Sequence, residues 1–123
     1  ENSLPAFAAA VALGATEIEF DLWRTKDGVI VSCHDPNLDR VSDGTGFVFE
    51  HTLAELEKYD FGKKFGEKFA NLKIVKFEDI LKKFAKRVVM NIHVKTVGLF
   101  DEFASTILDD IVALIDKYDC RKC

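Results

Sequence analysis

Two segments near the N-terminus show the apolar–polar alternation that is typical of β-strands. In residues 17–24, EIEFDLWR, the period of two places Glu19 and Asp21 on one face of the predicted strand. A second apolar run, residues 29–33, follows the dipeptide DG at 27–28. That dipeptide favours a two-residue type I′ turn, because both central positions need positive φ. The connection is too short for a crossover helix, so the two strands are predicted to be antiparallel.

The turn also predicts which residues face each other across the hairpin. With a two-residue loop, Lys26 pairs with Val29, and Asp21 then lies opposite His34 with Cβ atoms about 4.5–5.5 Å apart. A shift of one residue would turn His34 to the other face. Acidic residues on a strand commonly form its solvent-exposed face, but carboxylates and a histidine on one patch also fit a metal or catalytic site. The residues alone leave both interpretations open.

The rest of the chain alternates between helix and strand patterns, as an α/β fold does. Helices are predicted from the candidate caps Asn2 or Ser3 to residue 13, and over residues 53–59, 77–86 and 100–118. Strands are predicted over residues 46–49 and, as a buried strand, over residues 87–95. Between the hairpin and the third helix, residues 36–76 are rich in turn-forming residues.

Composition narrows the class of protein. Apolar residues make up 48% of the 123 residues and include eleven Phe, which excludes a disordered chain. The net charge of −4 comes from interspersed residues of both signs, so nothing in the composition suggests a nucleic-acid or anionic-membrane surface. There is no apolar run of the length that a transmembrane helix needs.

The cysteines indicate a reducing environment. Three cysteines are too few for a disulfide framework, and the C-x-x-C spacing at residues 120–123 lacks a second pair of ligands. Reduced thiols in a cytoplasmic protein are therefore the expectation, with Cys33 in the core.

Several motifs resemble one enzyme family in both order and spacing. ENSLPAF, GATEIEFDLWRTKDGVIVSCHDPNLDRVSDGTG, TLAEL and NIHVK are similar to the glycerophosphodiester phosphodiesterase family, within the wider group of phospholipase-C-like phosphodiesterases. The family pattern is H-R-G, E-N-T, E-x-D, H-D, L-D-R-T-x-x-G-x-G and N-x-E-x-K, and the match covers nearly the whole chain.

The resemblance implies an α/β fold of the TIM-barrel type. Such a barrel needs about 250 residues, and the H-R-G segment does not occur in this chain. We therefore expect residues 1–123 to form one partial barrel domain, roughly the first half without its first strand. Residues 36–76 are expected to be the small insertion that this family carries over the mouth of the barrel.

The resemblance also implies roles for particular residues. It assigns a divalent metal ion to Glu19, Asp21 and the position of His93, acid/base catalysis to His34, phosphate contact to Lys95, and supporting roles to Glu1 and Asp35. Where the family has an acidic ligand, His93 offers nitrogen. Ca²⁺ or Mg²⁺ is the family expectation, and Mn²⁺ or Co²⁺ becomes an alternative. A histidine that only forms a hydrogen bond at the strand end is the other interpretation.

The implied function is metal-dependent hydrolysis of glycerophosphodiesters to glycerol 3-phosphate and an alcohol. One alternative is another phosphodiesterase of the same superfamily, and a second is a non-catalytic fragment or degenerate barrel that only binds or packs. The expected partner is a small-molecule glycerophosphodiester, with no nucleic acid and no transmembrane segment. The 123-residue chain alone is expected to be inactive and to associate through open barrel edges.

Overall fold

The computed structural model describes residues 1–97 and 102–121. The helices in that part of the chain are α1 (Leu4–Ala12), α2 (Leu53–Leu56), α3 (Phe77–Phe84) and α4 (Glu102–Lys117). The strands are β1 (Glu17–Arg24), β2 (Ile30–Ser32), β3 (Val75–Lys76) and β4 (Val89–Val94). Single 3₁₀ turns occupy Val48–Glu50, Lys63–Phe65 and Glu67–Phe69. None of the helices in the described ranges has the length and apolar character needed to cross a bilayer.

The four strands form one mixed sheet in the order β3-β2-β1-β4. β1 and β4 are parallel, and their register runs from Glu17 opposite Val89 to Leu22 opposite Val94. The connection between them contains α3, which makes the α/β unit that the sequence pattern predicts. β2 pairs antiparallel with both β1 and β3.

The main core lies between one face of the sheet and the helices α1, α3 and α4. It is built on the alternate apolar residues of β1, and its buried members include Phe7, Ile18, Phe20, Leu22, Phe77, Ile80, Leu81, Phe84, Ile107 and Ile111. The Phe20 ring lies 5.7 Å from the Phe7 ring and 5.9 Å from the Phe77 ring, between centroids. Because side chains alternate along a strand, this burial turns Glu19 and Asp21 to the opposite face.

A second apolar cluster covers that opposite face beyond Asp21. Trp23, Val31 and Cys33 of the hairpin contact Leu38, Val41, Val48, Leu56 and Ile74 of the segment that follows. Cys33 belongs to this buried cluster, and its burial, with Asp35 nearby, raises the pKa of the free thiol to about 12. The division into a barrel domain and an insertion over residues 36–76 stays a prediction.

The predicted hairpin register is wrong by one residue. The pairs are Leu22 with Ser32 and Trp23 with Val31. The main-chain N–H of Cys33 donates to the Asp21 carbonyl at 3.1 Å, so Cys33, rather than His34, stands opposite Asp21.

The cause of the shift is a three-residue loop. The N–H of Thr25 donates to the Val29 carbonyl at 2.9 Å, and the Thr25 hydroxyl accepts the Val29 N–H at 2.9 Å. That hydroxyl also donates to the Asp27 carboxylate at 2.6 Å. Of the two residues at 27–28, only Gly28 has positive φ, at +86°. A type I′ turn needs positive φ at both positions, so the Asp-Gly pair marked the hairpin correctly but not its loop length.

Several element boundaries also differ from the prediction. Instead of a strand over residues 46–49, Phe47 forms one bridge with Asn37 before the 3₁₀ turn begins. α2 is capped by Thr52 and Glu55 as predicted, but it ends at Leu56. The prediction that β4 is buried is wrong: none of its six residues is fully buried, and exposed and half-buried side chains alternate along it. The predicted start of the last helix at residue 100, and Cys123 of the C-x-x-C pair, lie outside the described residues.

Candidate metal and active site

The parallel pairing of β1 and β4 brings the three proposed metal ligands together. Asp21 stands opposite His93 in the register, and Glu19 lies two residues earlier on the same face. One ligand atom from each of these three side chains lies within 4.8 Å of the others. The distance between His93 Nδ1 and Asp21 Oδ1 is 3.2 Å. The side chains of Glu19 and His93 are exposed, so the cluster is open to solvent on one side.

Asp21 is the buried centre of the cluster, with only 2% of its surface exposed. Its carboxylate has cationic or donor partners on both oxygens: Lys95 Nζ lies 3.0 Å from Oδ1, and Asn2 Nδ2 donates to Oδ2 at 3.0 Å. A buried carboxylate needs such partners to offset its lost hydration. Lys95, which the resemblance assigns to phosphate contact, therefore lies within reach of the candidate metal site.

Asn2 is a site residue that the sequence pattern did not identify. Besides donating to Asp21, its Oδ1 accepts the Asp21 main-chain N–H at 3.1 Å and the Ser32 hydroxyl at 2.6 Å. Ser3, rather than Asn2, caps α1. Asn2 has a φ of +45°, a conformation that asparagine tolerates better than most residues. It thus joins the start of α1 to two strands and fixes the Asp21 side chain.

His34 is connected to this cluster through Asn2 and is held by its neighbour in sequence. Its Nδ1 lies 2.6 Å from Asp35 Oδ1, and its side chain is 56% exposed. His34 lines a narrow cavity together with Glu1 and Asn2, and Asn2 in turn contacts Asp21. With Nδ1–H donated to the carboxylate, Nε2 is the ring atom that can exchange a proton with a ligand.

Arg40 is a second residue that the sequence pattern did not identify. Its Nε and Nη2 donate to the two oxygens of Asp35 at 2.6 and 2.8 Å, and Nη2 also contacts Glu1 Oε1 at 2.5 Å. These bonds from Arg40, with the one from His34, hold the pKa of Asp35 well below its usual range. The same contacts raise the pKa of Arg40. Asp35 therefore stays ionised, and Glu1 and Asp35 belong to one network that anchors His34.

Comparison with known proteins identifies the family. The sequence profile of the Glycerophosphoryl diester phosphodiesterase family matches residues 1–121. A Glycerophosphodiester phosphodiesterase from Caldanaerobacter subterraneus subsp. tengcongensis is 43% identical over 97 residues, which are 78% of this chain and 40% of that protein.

Solved structures agree with the profile. The glycerophosphodiester phosphodiesterase from Agrobacterium tumefaciens str. C58 superposes with a TM-score of 0.86 at 27% identity, over 98% of this chain and 48% of that one. A phosphodiesterase from Oleispira antarctica, solved in complex with the product sn-glycerol-3-phosphate, has a TM-score of 0.84 at 23% identity, over 96% of this chain and 47% of that one.

The comparisons confirm the expected fold, an α/β chain that covers part of a TIM-type barrel. The chain spans less than half the length of the relatives described above. With a profile match that runs over almost every residue, this chain belongs to the glycerophosphoryl diester phosphodiesterase family.

Proposed function

We propose that the protein containing this chain hydrolyses glycerophosphodiesters to glycerol 3-phosphate and an alcohol with the help of a divalent metal ion. The observation that carries the proposal is the grouping of Glu19, Asp21 and His93 within 4.8 Å. Lys95 Nζ lies 3.0 Å from the carboxylate of Asp21. Membership of the family supports the reaction type, and the solved relative that holds sn-glycerol-3-phosphate supports the substrate class.

The donor set fits a divalent cation. Two carboxylates supply hard oxygen ligands and His93 supplies one nitrogen, a mixture that Mn²⁺ or Co²⁺ tolerates better than Ca²⁺ or Mg²⁺ does. Asp21 is buried and faces positive or donor groups, so its carboxylate is already held in place. A cation bound there would supply neutralisation of the phosphate charge.

One of the two proton transfers is assigned to a residue of this chain, His34. Hydrolysis needs a proton removed from the attacking oxygen and another delivered to the leaving alcohol. His34 Nε2 is free for one transfer, since Nδ1 is engaged by Asp35. The resemblance assigns the other transfer to the histidine of the family's H-R-G motif, which these 123 residues do not contain. Lys95 supplies a positive charge for a phosphate oxygen.

The test is release of glycerol 3-phosphate from glycerophosphocholine and glycerophosphoethanolamine by the whole protein, with and without metal chelation. We expect His34→Gln to lower kcat at least about 100-fold, the lower range for an acid/base group. Asp21→Asn should also lower kcat, because the candidate metal site loses its buried carboxylate. Asp109→Asn, on the exposed surface of α4, is the matched control and should leave kcat unchanged.

Two results would contradict the proposal. Hydrolysis of a different headgroup diester alone would favour another phosphodiesterase of the superfamily. No turnover by the whole protein, with tight binding of a phosphorylated ligand, would favour the non-catalytic interpretation. The cytoplasmic location expected from the sequence stays a prediction, which imaging of a tagged protein would test.

A further inference from the structure

Residues 61–73, FGKKFGEKFANLK, form a surface feature that the proposed reaction does not use. We call this segment the Lys–Phe turn. It contains four lysines and one glutamate, a local charge of +3 in a chain whose net charge is −4. Phe65 is 46% exposed and Phe69 is 37% exposed, although both are large apolar residues. Whole-chain charge hides this local concentration of positive and aromatic residues.

Two consecutive 3₁₀ turns position the two phenylalanines at the surface. Each ends its own 3₁₀ turn, and Gly66 joins the two turns with a φ of +125°, which favours glycine. A Cβ on Gly62 would lie 1.7 Å from the Phe69 carbonyl oxygen, so the segment folds tightly back on itself.

One carboxylate holds the base of the turn. Asp60 accepts main-chain N–H groups from Gly62, Lys63 and Asn71 at 2.8, 3.0 and 2.7 Å. The bond to Asn71 comes first among the causes that lower the pKa of Asp60. Both ends of the turn are thereby fixed to one side chain, and the exposure of the phenylalanines is a property of the folded segment.

The lysines of the turn have few acidic neighbours, and Asp60 is a carboxylate on which Lys73 acts electrostatically. Within residues 1–97 and 102–121, none of the turn's four ammonium groups forms an ion pair with a carboxylate. Lys64 and Lys73 contact main-chain carbonyl oxygens, and Lys68 Nζ lies 4.9 Å from the centre of the Phe69 ring. These lysines are available to an anionic partner.

A mostly apolar cavity of about 270 Å³ lies between the turn and the start of the chain. Phe65, Phe69, Pro5 and Ala9 line it, and the polar residues Glu1 and Ser3 also contribute to its wall. Phe65 also lines the narrow cavity that contains His34. An apolar group inserted beside the phenylalanines would therefore meet more apolar surface, close to the candidate active site.

We propose that the Lys–Phe turn docks on an anionic lipid surface. Phe65 and Phe69 enter the boundary between headgroups and acyl chains, and the lysines contact headgroup phosphates. Basic residues beside partly exposed aromatic residues are the combination that such surfaces attract, through charge and apolar burial together. An acidic protein would match the lysines but would not require two rigid phenylalanines between them. This proposal does not depend on the proposed hydrolysis, because docking is measured as binding to vesicles and not as catalytic activity.

Vesicle co-sedimentation of the purified protein tests the proposal. We expect binding to vesicles of phosphatidylglycerol and phosphatidylcholine, weakening with added salt, and much weaker binding to pure phosphatidylcholine. Lys63→Gln/Lys64→Gln/Lys68→Gln should weaken it about 100-fold in total, about fivefold for each lysine. Phe65→Ser/Phe69→Ser should weaken it about tenfold or more.

Matched variants change the same residue types elsewhere on the surface. Lys26→Gln/Lys58→Gln/Lys83→Gln removes three exposed lysines outside the turn, and Leu13→Ser/Val112→Ser removes two exposed apolar side chains. Both should bind vesicles as the unsubstituted protein does. Equal losses in these controls would overturn the assignment to the turn. Binding to polyglutamate but not to anionic vesicles would overturn the assignment to lipid.

A fluorescent variant separates insertion from a folding defect. Trp23 is the one tryptophan of the chain and is 6% exposed, so its emission should not respond to vesicles. Phe65→Trp keeps an aromatic side chain and should show a blue shift on anionic vesicles, with quenching by brominated acyl chains. Unchanged emission from a folded Phe65→Trp protein on those vesicles would overturn the proposal.

Discussion

One side chain decides the charge of the candidate metal site. His93 stands opposite Asp21 in the β1–β4 register, at the position where the family pattern has a carboxylate. With His93 as a ligand the site carries one negative charge fewer than with three carboxylates. The ions that depend most on oxygen ligands lose most from this exchange. Metal preference is therefore the property through which the role of His93 can be measured.

His93→Glu should shift metal preference toward Mg²⁺ and Ca²⁺. We expect their dissociation constants to fall roughly tenfold relative to those of Mn²⁺ and Co²⁺, because an oxygen ligand and a charge are restored. Titration calorimetry of the metal-free whole protein measures this without relying on activity. Ala54→Glu is the control, since it adds a carboxylate on the exposed surface of α2, outside the candidate metal site. An unchanged ranking would mean that His93 does not contact the ion.

Arg40→Met should reduce kcat about tenfold with little change in KM, because Arg40 positions Asp35, which in turn orients His34. NMR of the imidazole should show a loss of the Nδ1–H tautomer. Guanidinium should partly restore kcat in Arg40→Ala, and Arg87→Met, on the exposed surface, should have no effect. A raised KM with a normal tautomer would instead indicate direct substrate contact by Arg40.

At the level of elements, the face on which each strand residue lies was more predictable than the residue that it pairs with on the neighbouring strand. Alternation along β1 placed Glu19 and Asp21 on one face, and the apolar positions in between form the core. The predicted hairpin register was wrong because the Thr25 hydroxyl closes a loop one residue longer. The Asp-Gly pair gives no indication of that hydrogen bond. Asn2 and Arg40 were missed because their contacts join residues up to 39 positions apart, which no local pattern records.

A second element-level feature is the contact between α3 and the end of α4. Glu78 of α3 accepts hydrogen bonds from Lys117 Nζ at 2.7 Å and from the Tyr118 hydroxyl at 2.8 Å. These two bonds, with Lys117 first, lower the pKa of Glu78 from 4.5 to about 2. A carboxyl group whose pKa is lowered by folding stabilises the protein above its unfolded pKa, and that contribution is lost as pH falls through the folded pKa.

Glu78→Gln should therefore lower the free energy of unfolding by about 1 kcal/mol near neutral pH, a modest value because the pair is partly exposed. The difference from the unsubstituted protein should shrink between pH 4.5 and 2, the two pKa values of Glu78. Urea denaturation at several pH values measures it. Glu67→Gln, at an exposed glutamate in a 3₁₀ turn, is the control. A difference that stays constant down to pH 2 would rule out the Glu78 ionisation as its source.

For the molecule as a whole, the sheet has edges that a closed barrel would not have. β4 pairs with β1 alone within the described residues. On its other side, β1 pairs with β2 from Leu22 to Arg24, and among the described residues the strand around Ile18 has a strand partner on one side only. Unpaired strand edges offer N–H and C=O groups to other chains.

The last prediction is that the 123-residue chain, prepared as an isolated polypeptide, has no useful diesterase activity and tends to associate. It spans 40% and 48% of the relatives compared above, and it contains His34 but not the H-R-G motif. Loss of one acid/base group typically costs 10²–10⁴-fold, roughly, in rate. Turnover of glycerophosphocholine, compared with that of the whole protein, tests the loss of activity. Light scattering of the same sample tests the association. Robust turnover by a monodisperse 123-residue chain would show that Glu19, Asp21, His34 and Lys95 suffice for the reaction.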